Sequence, residues 1–393
     1  MGLLTDLLGD GNATSLPVDD GALEPYPTPH PTPPTITLGT TSAPVLTGGA
    51  YVTTSNLNAF RHFGAAVQFF SGYAHGASIT SAGAADSADR FQTFHTEFYF
   101  DGNDIELQLR GFGGSYRILV DDQWAATDDS AKLGPAPDGS PKFLRLTFAS
   151  RAIRKIRVEL GTQPFAAAYV KAGDSVWPTP PAEQRMIVVG DSFTRDDRVT
   201  GQYSQRLTAF PFALGKYLGL RDVWASGVGS TGYLKTTADP RVKFRDRLQA
   251  DVLDHAPDII VWAGGHNDGT FSTAAIQDEA EACYEAAAAA LPGVRQIVCS
   301  PFNNGGTVAA PRPAVSAAIE AAAVANGLPF IDVLDPNIWS GTGKVGTPAG
   351  NGNADYYVSP DAVHPSADGA EGGGHRWLGM HLARLIKPHL SAA

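Results

Sequence analysis

The residues able to do chemistry begin with a serine at an abrupt boundary. The apolar run Met186-Ile187-Val188-Val189 stops at Gly190-Asp191-Ser192. A run of this length reads as a buried strand, and open α/β sheets place reactive groups at the carboxyl ends of such strands. A serine hydroxyl is a weak nucleophile at neutral pH and needs a general base. Asp361-Ala362-Val363-His364 offers one far downstream. The imidazole of His364 can take the hydroxyl proton and return it to a leaving group. Asp361, in the same tight loop, can fix the imidazole tautomer and stabilise its cation. Pro365 biases His364 toward an extended backbone and so favours a loop over a helix. Attack on an acyl carbon would create an oxyanion. Its candidate donors are the N–H of Ser192, the N–H of Gly229 or Ser230, and the side-chain amide of Asn267 in Gly265-His266-Asn267-Asp268.

Each fragment has a plainer reading. Gly-Asp-Ser recurs at Gly173-Asp174-Ser175, after Val170-Lys171-Ala172 and before the proline-rich Trp177–Pro181 stretch, and that copy reads as linker. Gly265–Asp268 alone is turn chemistry, and Asp361–His364 alone is a polar loop. His375, after Glu371-Gly372-Gly373-Gly374, is a rival base but lacks an aspartate at the same spacing. His266 reads as a cleft-lining residue. The weight lies in the order of the three fragments.

That order resembles the SGNH/GDSL hydrolase family over roughly residues 185–393. The first block, Gly-Asp-Ser, falls at Gly190–Ser192. The third, Gly-x-Asn-Asp, falls at Gly265–Asp268, and the fifth, Asp-x-x-His, at Asp361–His364. The second block, often Asn-x-Gly-x-x-Gly, meets Ala225-Ser226-Gly227-Val228-Gly229-Ser230, so its asparagine is absent. The resemblance implies Ser192, His364 and Asp361 as catalytic residues, and Ser192, Gly229 and Asn267 as the oxyanion hole. A metal-dependent reading finds little support. The Asp-x-His and Gly-His-x-His signatures of calcineurin-like phosphoesterases are missing, as are His-Glu-x-x-His and Cys-x-x-Cys. Two cysteines cannot make a four-cysteine zinc site. Neither metal nor cofactor is expected, and Cys283 and Cys299 read as buried free thiols.

The elements that must position these residues change character along the chain. Residues 1–44 read as an arm: leucines at 3, 4, 7 and 8 have helical spacing and read equally as a docking segment for a partner or another subunit and as an end packed on its own domain, and Pro25–Pro34 reads as an extended spacer. Residues 45–172 read as short strands at 94–100, 105–109, 116–120, 143–148 and 156–160, punctuated by clusters such as Asp101-Gly102-Asn103-Asp104. That pattern suggests a β-sandwich, jelly-roll-like and a candidate carbohydrate-binding layer. Its Trp124 and Tyr116 read as core before sugar platform. Residues 173–184 read as linker. From 185 to 393, strands at 186–189, 222–225, 259–263, 296–300 and 330–333 alternate with helices, notably 273–290 and 314–326. This implies an α/β domain with a flavodoxin-like parallel sheet. The glycine-rich 341–353 stretch reads as a rim or lid beside the Asp361–His364 loop.

At 393 residues and 43% hydrophobic content, the chain can bury sizeable cores. A net charge of −11 argues against nucleic acid and anionic membrane as partners. No apolar run approaches a membrane span. The N-terminus lacks a basic segment followed by a long apolar one, so it does not read as a signal peptide. A sandwich ahead of an SGNH-like domain is similar in layout to the acetyl esterases of carbohydrate esterase family 2. The implied activity is removal of a small acyl group, acetyl first, from a glycan or small ester. The alternatives are a structural or adhesive component, such as a phage tail protein carrying this domain, and a general lipase or acyltransferase.

Overall fold

The computed structural model describes residues 26–39, 43–46, 49–54, 59–76, 91, 93–111, 115–126, 139–161, 163–195, 207–237, 241–303, 305–306, 308–334, 338–367 and 373–390. The leucines at 3, 4, 7 and 8 of the expected docking segment lie outside them.

Among the described residues the first half forms an antiparallel sheet of eleven strands. They are β1 (Thr35–Leu38), β2 (Ala50–Thr53), β3 (Arg61–Phe63), β4 (Val67–Phe70), β5 (Tyr73–Gly76), β6 (Thr93–Arg110), β7 (Ser115–Val120), β8 (Gln123–Ala126), β9 (Pro141–Gly161), β10 (Phe165–Val170) and β11 (Ser175–Pro178). Alternation drives it: Phe94, Phe98, Ile105, Leu107 and Leu109 of β6, and Leu144, Leu146, Ile156, Val158 and Leu160 of β9, are fully buried. Trp124 and Tyr116 are buried too and present no open ring face.

Four boundaries differ from the sequence expectation. The strands expected at 94–100 and 105–109 are one strand, β6. Asp101-Gly102-Asn103-Asp104 is a register shift against β9, not a turn, because a glycine within a strand can serve a bulge as readily as a reversal. The pair expected at 143–148 and 156–160 likewise fuses into β9. The expected 173–184 linker contributes β11, which pairs with Phe98–Asp101 of β6. Gly173 there has φ of +87°, and Arg151 holds Asp174 at 2.7 Å. The expected arm also enters the sheet: Thr35–Leu38 pairs with Leu144–Thr147, and Pro29 bridges Trp124.

The second half is a parallel sheet of β12 (Arg185–Gly190), β13 (Asp222–Gly227), β14 (Ile259–Ala263), β15 (Arg295–Cys299) and β16 (Phe330–Ile331). Its order, β13-β12-β14-β15-β16, is flavodoxin-like. The strands are buried on both faces, as a sheet flanked by helices requires. The helices are α1 (Phe210–Leu218), α2 (Phe244–Asp251), α3 (Thr273–Ala290), α4 (Arg312–Ala325), α5 (Ala354–Tyr357) and α6 (Gly374–Leu390). Met186 and Val188 pack with Phe210 and Leu214 of α1 and Leu378 and Leu382 of α6. The alternate residues Ile187 and Val189 pack in a second cluster with Phe244 of α2, Tyr284 of α3 and Ile319 of α4. Cys283 and Cys299 are buried and free. Among the described residues no helix is long and apolar enough to cross a membrane.

The two sheets meet through a buried charged network. Glu97, fully buried, accepts from Arg157 Nε at 2.6 Å, Arg221 Nη1 at 3.1 Å and Thr179 Oγ1 at 3.2 Å. Glu159 accepts from Arg117 Nε and from Lys216 Nζ, each at 3.0 Å. Burial opposes the charge of both carboxylates, but the surrounding cations hold them down at about 2. Asp222 adds a second link: it takes the Gly64 N–H at 3.0 Å, Trp224 Nε1 at 2.6 Å and Arg185 Nε at 2.7 Å.

Candidate active site

All the candidate site residues lie past the carboxyl ends of parallel strands or in the loop before α6. Ser192 sits at the apex of a turn built by its neighbours. The Phe193 N–H donates to Asp191 Oδ1 at 3.0 Å, and the Thr194 N–H to the Asp191 carbonyl at 3.1 Å. Only glycine fits at 190, where a Cβ would collide with Thr194 Oγ1 and the Ala263 carbonyl. Phe193 anchors the turn in the core with no exposed surface, while Ser192 stays partly accessible.

The structure brings the three distant residues together. His364 Nε2 lies 2.8 Å from Ser192 Oγ, and His364 Nδ1 lies 2.7 Å from Asp361 Oδ2. The loop closes on itself around Asp361. Its Oδ1 accepts the Ser359 hydroxyl at 2.6 Å, the Val363 N–H at 2.8 Å and the His364 N–H at 3.0 Å. Burial opposes its charge, but the bonds from His364, Ser359 and these N–H groups hold the carboxyl below the usual range. Behind it, Val358 bridges Pro365, and the Ser359 N–H donates to the His364 carbonyl at 2.8 Å. The glycine-rich 341–353 stretch is a pinned loop: Asp355 takes the N–H groups of Ala349 and Gly350, and Asn353 Oδ1 takes that of Ser340. Its Val345 N–H donates to the Val358 carbonyl at 2.9 Å, so it buttresses the segment that carries His364.

The donor side is assembled by two loops. Asn267 Nδ2 donates to the Thr231 carbonyl at 3.0 Å, which fixes the amide and links the loops after β14 and β13. Among the described residues no hydrogen bond uses the N–H of Ser192, Gly229 or Ser230. Ser230 has φ of +62°, the turn that carries the chain past Gly229. His266 Nδ1 pairs with the Phe302 carbonyl at 2.9 Å, and the Phe193 ring lies 5.2 Å from both the His266 and His364 rings. Burial pulls His266 below its ordinary value, so its ring serves as wall. The rival base His375 is elsewhere: it is buried, and its Nδ1 accepts the Phe210 N–H at the start of α1.

Three supporting residues escape a sequence reading. Asp268, fully buried, accepts the N–H groups of Tyr233, Leu234 and Lys235 at 2.8–3.0 Å and so holds the loop after β13. A Cβ at Gly232 would strike that carboxylate. Arg247 of α2 ties the ends of β12 and β13: Nη2 donates to the Gly190 carbonyl at 2.8 Å, and Nη1 to the Ser226 carbonyl at 3.0 Å and Asp251 Oδ2 at 2.6 Å. Among the described residues Asp191 Oδ2 is buried without a partner, and burial raises its carboxyl to about 7. Asp268 and Asp191 stand inside the Gly-x-Asn-Asp and Gly-Asp-Ser motifs, which mark their positions but not these roles; nothing local in the sequence marks Arg247. Among the described residues no group of three or more His, Cys, Asp or Glu side chains clusters as a metal site would.

Comparison with known proteins finds a family match over the segment that carries these residues. Residues 188–371 match the GDSL-like Lipase/Acylhydrolase family. No curated protein matches the chain. Solved structures do. A salicylyl-acyltransferase from a tetracycline biosynthetic pathway has a TM-score of 0.61 at 14% identity, covering 88% of this chain and 98% of that one. An active-site mutant of a family two carbohydrate esterase from Clostridium thermocellum has a TM-score of 0.58 at 12% identity, covering 86% and 100%. An acetyl xylan esterase from the rumen bacterium Butyrivibrio proteoclasticus has a TM-score of 0.56 at 11% identity, covering 88% and 99%. At such identities these likenesses speak to the fold.

Proposed function

We propose that this chain, whose residues 188–371 match the GDSL-like lipase/acylhydrolase family, is a serine esterase removing a small acyl group, acetyl first, from a carbohydrate. The observation that carries the mechanism is the continuous chain from Asp361 Oδ2 through the His364 ring to Ser192 Oγ, with contacts of 2.7 and 2.8 Å. In the first half-reaction Ser192 Oγ attacks the acyl carbon as His364 Nε2 takes its proton. The oxyanion meets the Ser192 N–H, the Gly229 N–H and the second N–H of the Asn267 amide. The C–O bond to the sugar breaks as His364 returns the proton to the leaving alcohol. Water then attacks the acyl-serine by the same route. Asp361 keeps the proton on Nδ1 and balances the imidazolium.

The choice of a carbohydrate ester rests on the two-sheet layout shared with the carbohydrate esterases. In this reading residues 45–172 fold as a jelly-roll-like sandwich joined by 173–184 to the catalytic domain of 185–393. The two long strands support it, because β6 and β9 each pair with different neighbours along their two halves. The decisive experiment compares p-nitrophenyl acetate, butyrate and octanoate, together with acetylated sugars, for wild type and Ser192→Ala in EDTA. Acetate cleavage that persists in EDTA and disappears in the variant is the expected result. Activity retained in Ser192→Ala overturns the nucleophile, and preference for octanoate overturns the small acyl group.

A further inference from the structure

The loop that carries Asn267 lies along the start of α4. A Cβ at Gly265 would strike Ile319 Cδ1 and press on Val315, and one at Gly269 would strike the Pro311 ring. His266 and Asn267 fall between these contacts. Arg312 is the first residue of α4. Its spacing from Val315 and Ile319 puts all three on one stripe of the helix, the stripe that meets this loop. α4 follows β15, so its start lies on the carboxyl side of the sheet, as Ser192 does. The Phe193 ring, 5.2 Å from both the His266 and the His364 rings, joins this wall to the catalytic centre. The positive charge of Arg312 reaches His266 and adds to the lowering that burial imposes on that imidazole.

Arg312 is a partly buried cation with no counter-charge. Other arginines of this domain are bonded to acids: Arg185 to Asp222 and Arg247 to Asp251. Among the described residues the Arg312 guanidinium has no such partner, and its Nε is buried without one. Burial lowers the group below its ordinary value, and no carboxylate opposes the shift. Asp268, on the adjoining loop, spends its carboxylate on the N–H groups of Tyr233, Leu234 and Lys235. Glu320 and Asp332 line a separate recess with Pro313 and Ser316, on the neighbouring face of α4. Helix electrostatics do not account for Arg312 either. A cation at the first helical position opposes the macrodipole, and the first turn holds no acid to offset it. This occurs in a chain with 40 acidic residues against 29 lysines and arginines.

We propose that Arg312 is a specificity residue of the esterase, receiving an oxyanion carried by the sugar, a carboxylate or a phosphate, and so selecting acetylated acidic sugars over neutral ones. The planar guanidinium fork matches such a group bidentately. The anion supplies the partner that the protein withholds, and the start of α4 favours its charge. Phe271, two residues past Gly269, keeps 39% of its surface exposed on the same loop and offers apolar surface to the sugar body. This inference rests on the proposed esterase reading.

The test compares acetyl esters on one sugar framework: methyl O-acetyl-glucuronoside, its neutral methyl ester, methyl O-acetyl-glucoside and O-acetyl-glucose 6-phosphate. The quantity read is the ratio of kcat/KM for an acidic ester to that for a neutral one, within each protein. A general loss of stability lowers both terms and leaves the ratio unmoved. Wild type is expected to favour an acidic ester by about tenfold or more, and the larger of the carboxylate and phosphate ratios names the group. Arg312→Met should bring the ratio near one, Arg312→Lys should keep part of it, and Arg312→Glu should invert it. A wild-type ratio near one, or a ratio unmoved in both Arg312→Met and Arg312→Glu, would overturn the assignment. Failure of the esterase reading looks different: no ester is cleaved, p-nitrophenyl acetate included, or cleavage survives Ser192→Ala. Isothermal titration of Ser192→Ala with the glucuronoside and its methyl ester then decides the role of Arg312. Tighter binding of the acid, lost when Arg312→Met is added, supports it, and equal or absent binding of the two overturns it.

Discussion

Arg247 holds the strand that ends in the nucleophile: its Nη2 donates to the Gly190 carbonyl at 2.8 Å, beneath the turn that presents Ser192. The same guanidinium neutralises Asp251, which has no exposed surface. Arg247→Met therefore does two separable things. It strands a buried carboxylate, a loss of about 3–5 kcal/mol, and it frees the end of β12. Adding Asp251→Leu removes the stranded charge. Urea unfolding should show most of the stability returning in the double variant, while kcat for p-nitrophenyl acetate stays low and KM changes little. Full recovery of kcat along with stability would reduce Arg247 to a structural role.

Asp361 has two jobs on two oxygens. Oδ1 closes the loop through Ser359, Val363 and His364, and Oδ2 orients the imidazole. Asp361→Asn can preserve the first and spoil the second, because an amide N–H facing Nδ1 selects the wrong tautomer. The expected loss in kcat is about 10⁴-fold, with melting temperature changed by only a few degrees. Loss of folding would instead show that loop closure needs the charge.

What the sequence disclosed and what it hid divide along physical lines. Ser192, Asn267, Asp361 and His364 were legible because their chemistry is local: each stands in a short motif after a buried apolar run or in a late polar loop. The parallel strands were legible for the same reason, being continuous apolar runs. Arg247 was not, since an arginine on a helix looks solvated until the fold places it under Gly190. The unity of β6 was hidden because Asp-Gly-Asn-Asp carries turn chemistry. Only pairing with β9 on both sides of Gly102 turns it into a bulge. Trp177 and Pro178 looked like linker because an edge strand needs little hydrophobic pattern of its own.

Asp191 gives a pH signature. Its folded value is raised from 3.8 to about 7, chiefly by burial. The native state then holds a proton that the unfolded chain has lost. The group's contribution to stability is complete below 3.8 and fades as pH rises through 7. Buried His62, His95 and His381 act in the opposite sense, because burial lowers them to between about 3 and 4. The informative quantity is therefore a difference. Asp191→Asn keeps an acceptor for the Phe193 N–H and carries no charge. Its stability relative to wild type should rise between pH 5 and pH 8, measured by urea unfolding at each pH. A flat difference would place the Asp191 carboxyl near its ordinary value.

Asn267 offers the sharpest test of the oxyanion donors. One N–H of its amide is spent on the Thr231 carbonyl at 3.0 Å, which locks the side chain so that the other N–H has a fixed direction. If that direction is toward the developing charge, the bond forms only in the transition state. Asn267→Ala should then lower kcat by about 10²–10³-fold and leave KM nearly unchanged, the mark of a preorganised donor worth about 2.7–4 kcal/mol. Asn267→Asp keeps the size but puts an acceptor where the donor was, so it should be at least as damaging. Asp268→Asn separates this effect from loop position: it leaves Asn267 in place but weakens the hold on Tyr233–Lys235. It should lower melting temperature along with kcat. Should Asn267→Ala lose KM and melting temperature with kcat intact, the amide would be a brace between the two loops, and the oxyanion would depend on the backbone N–H groups of Ser192 and Gly229.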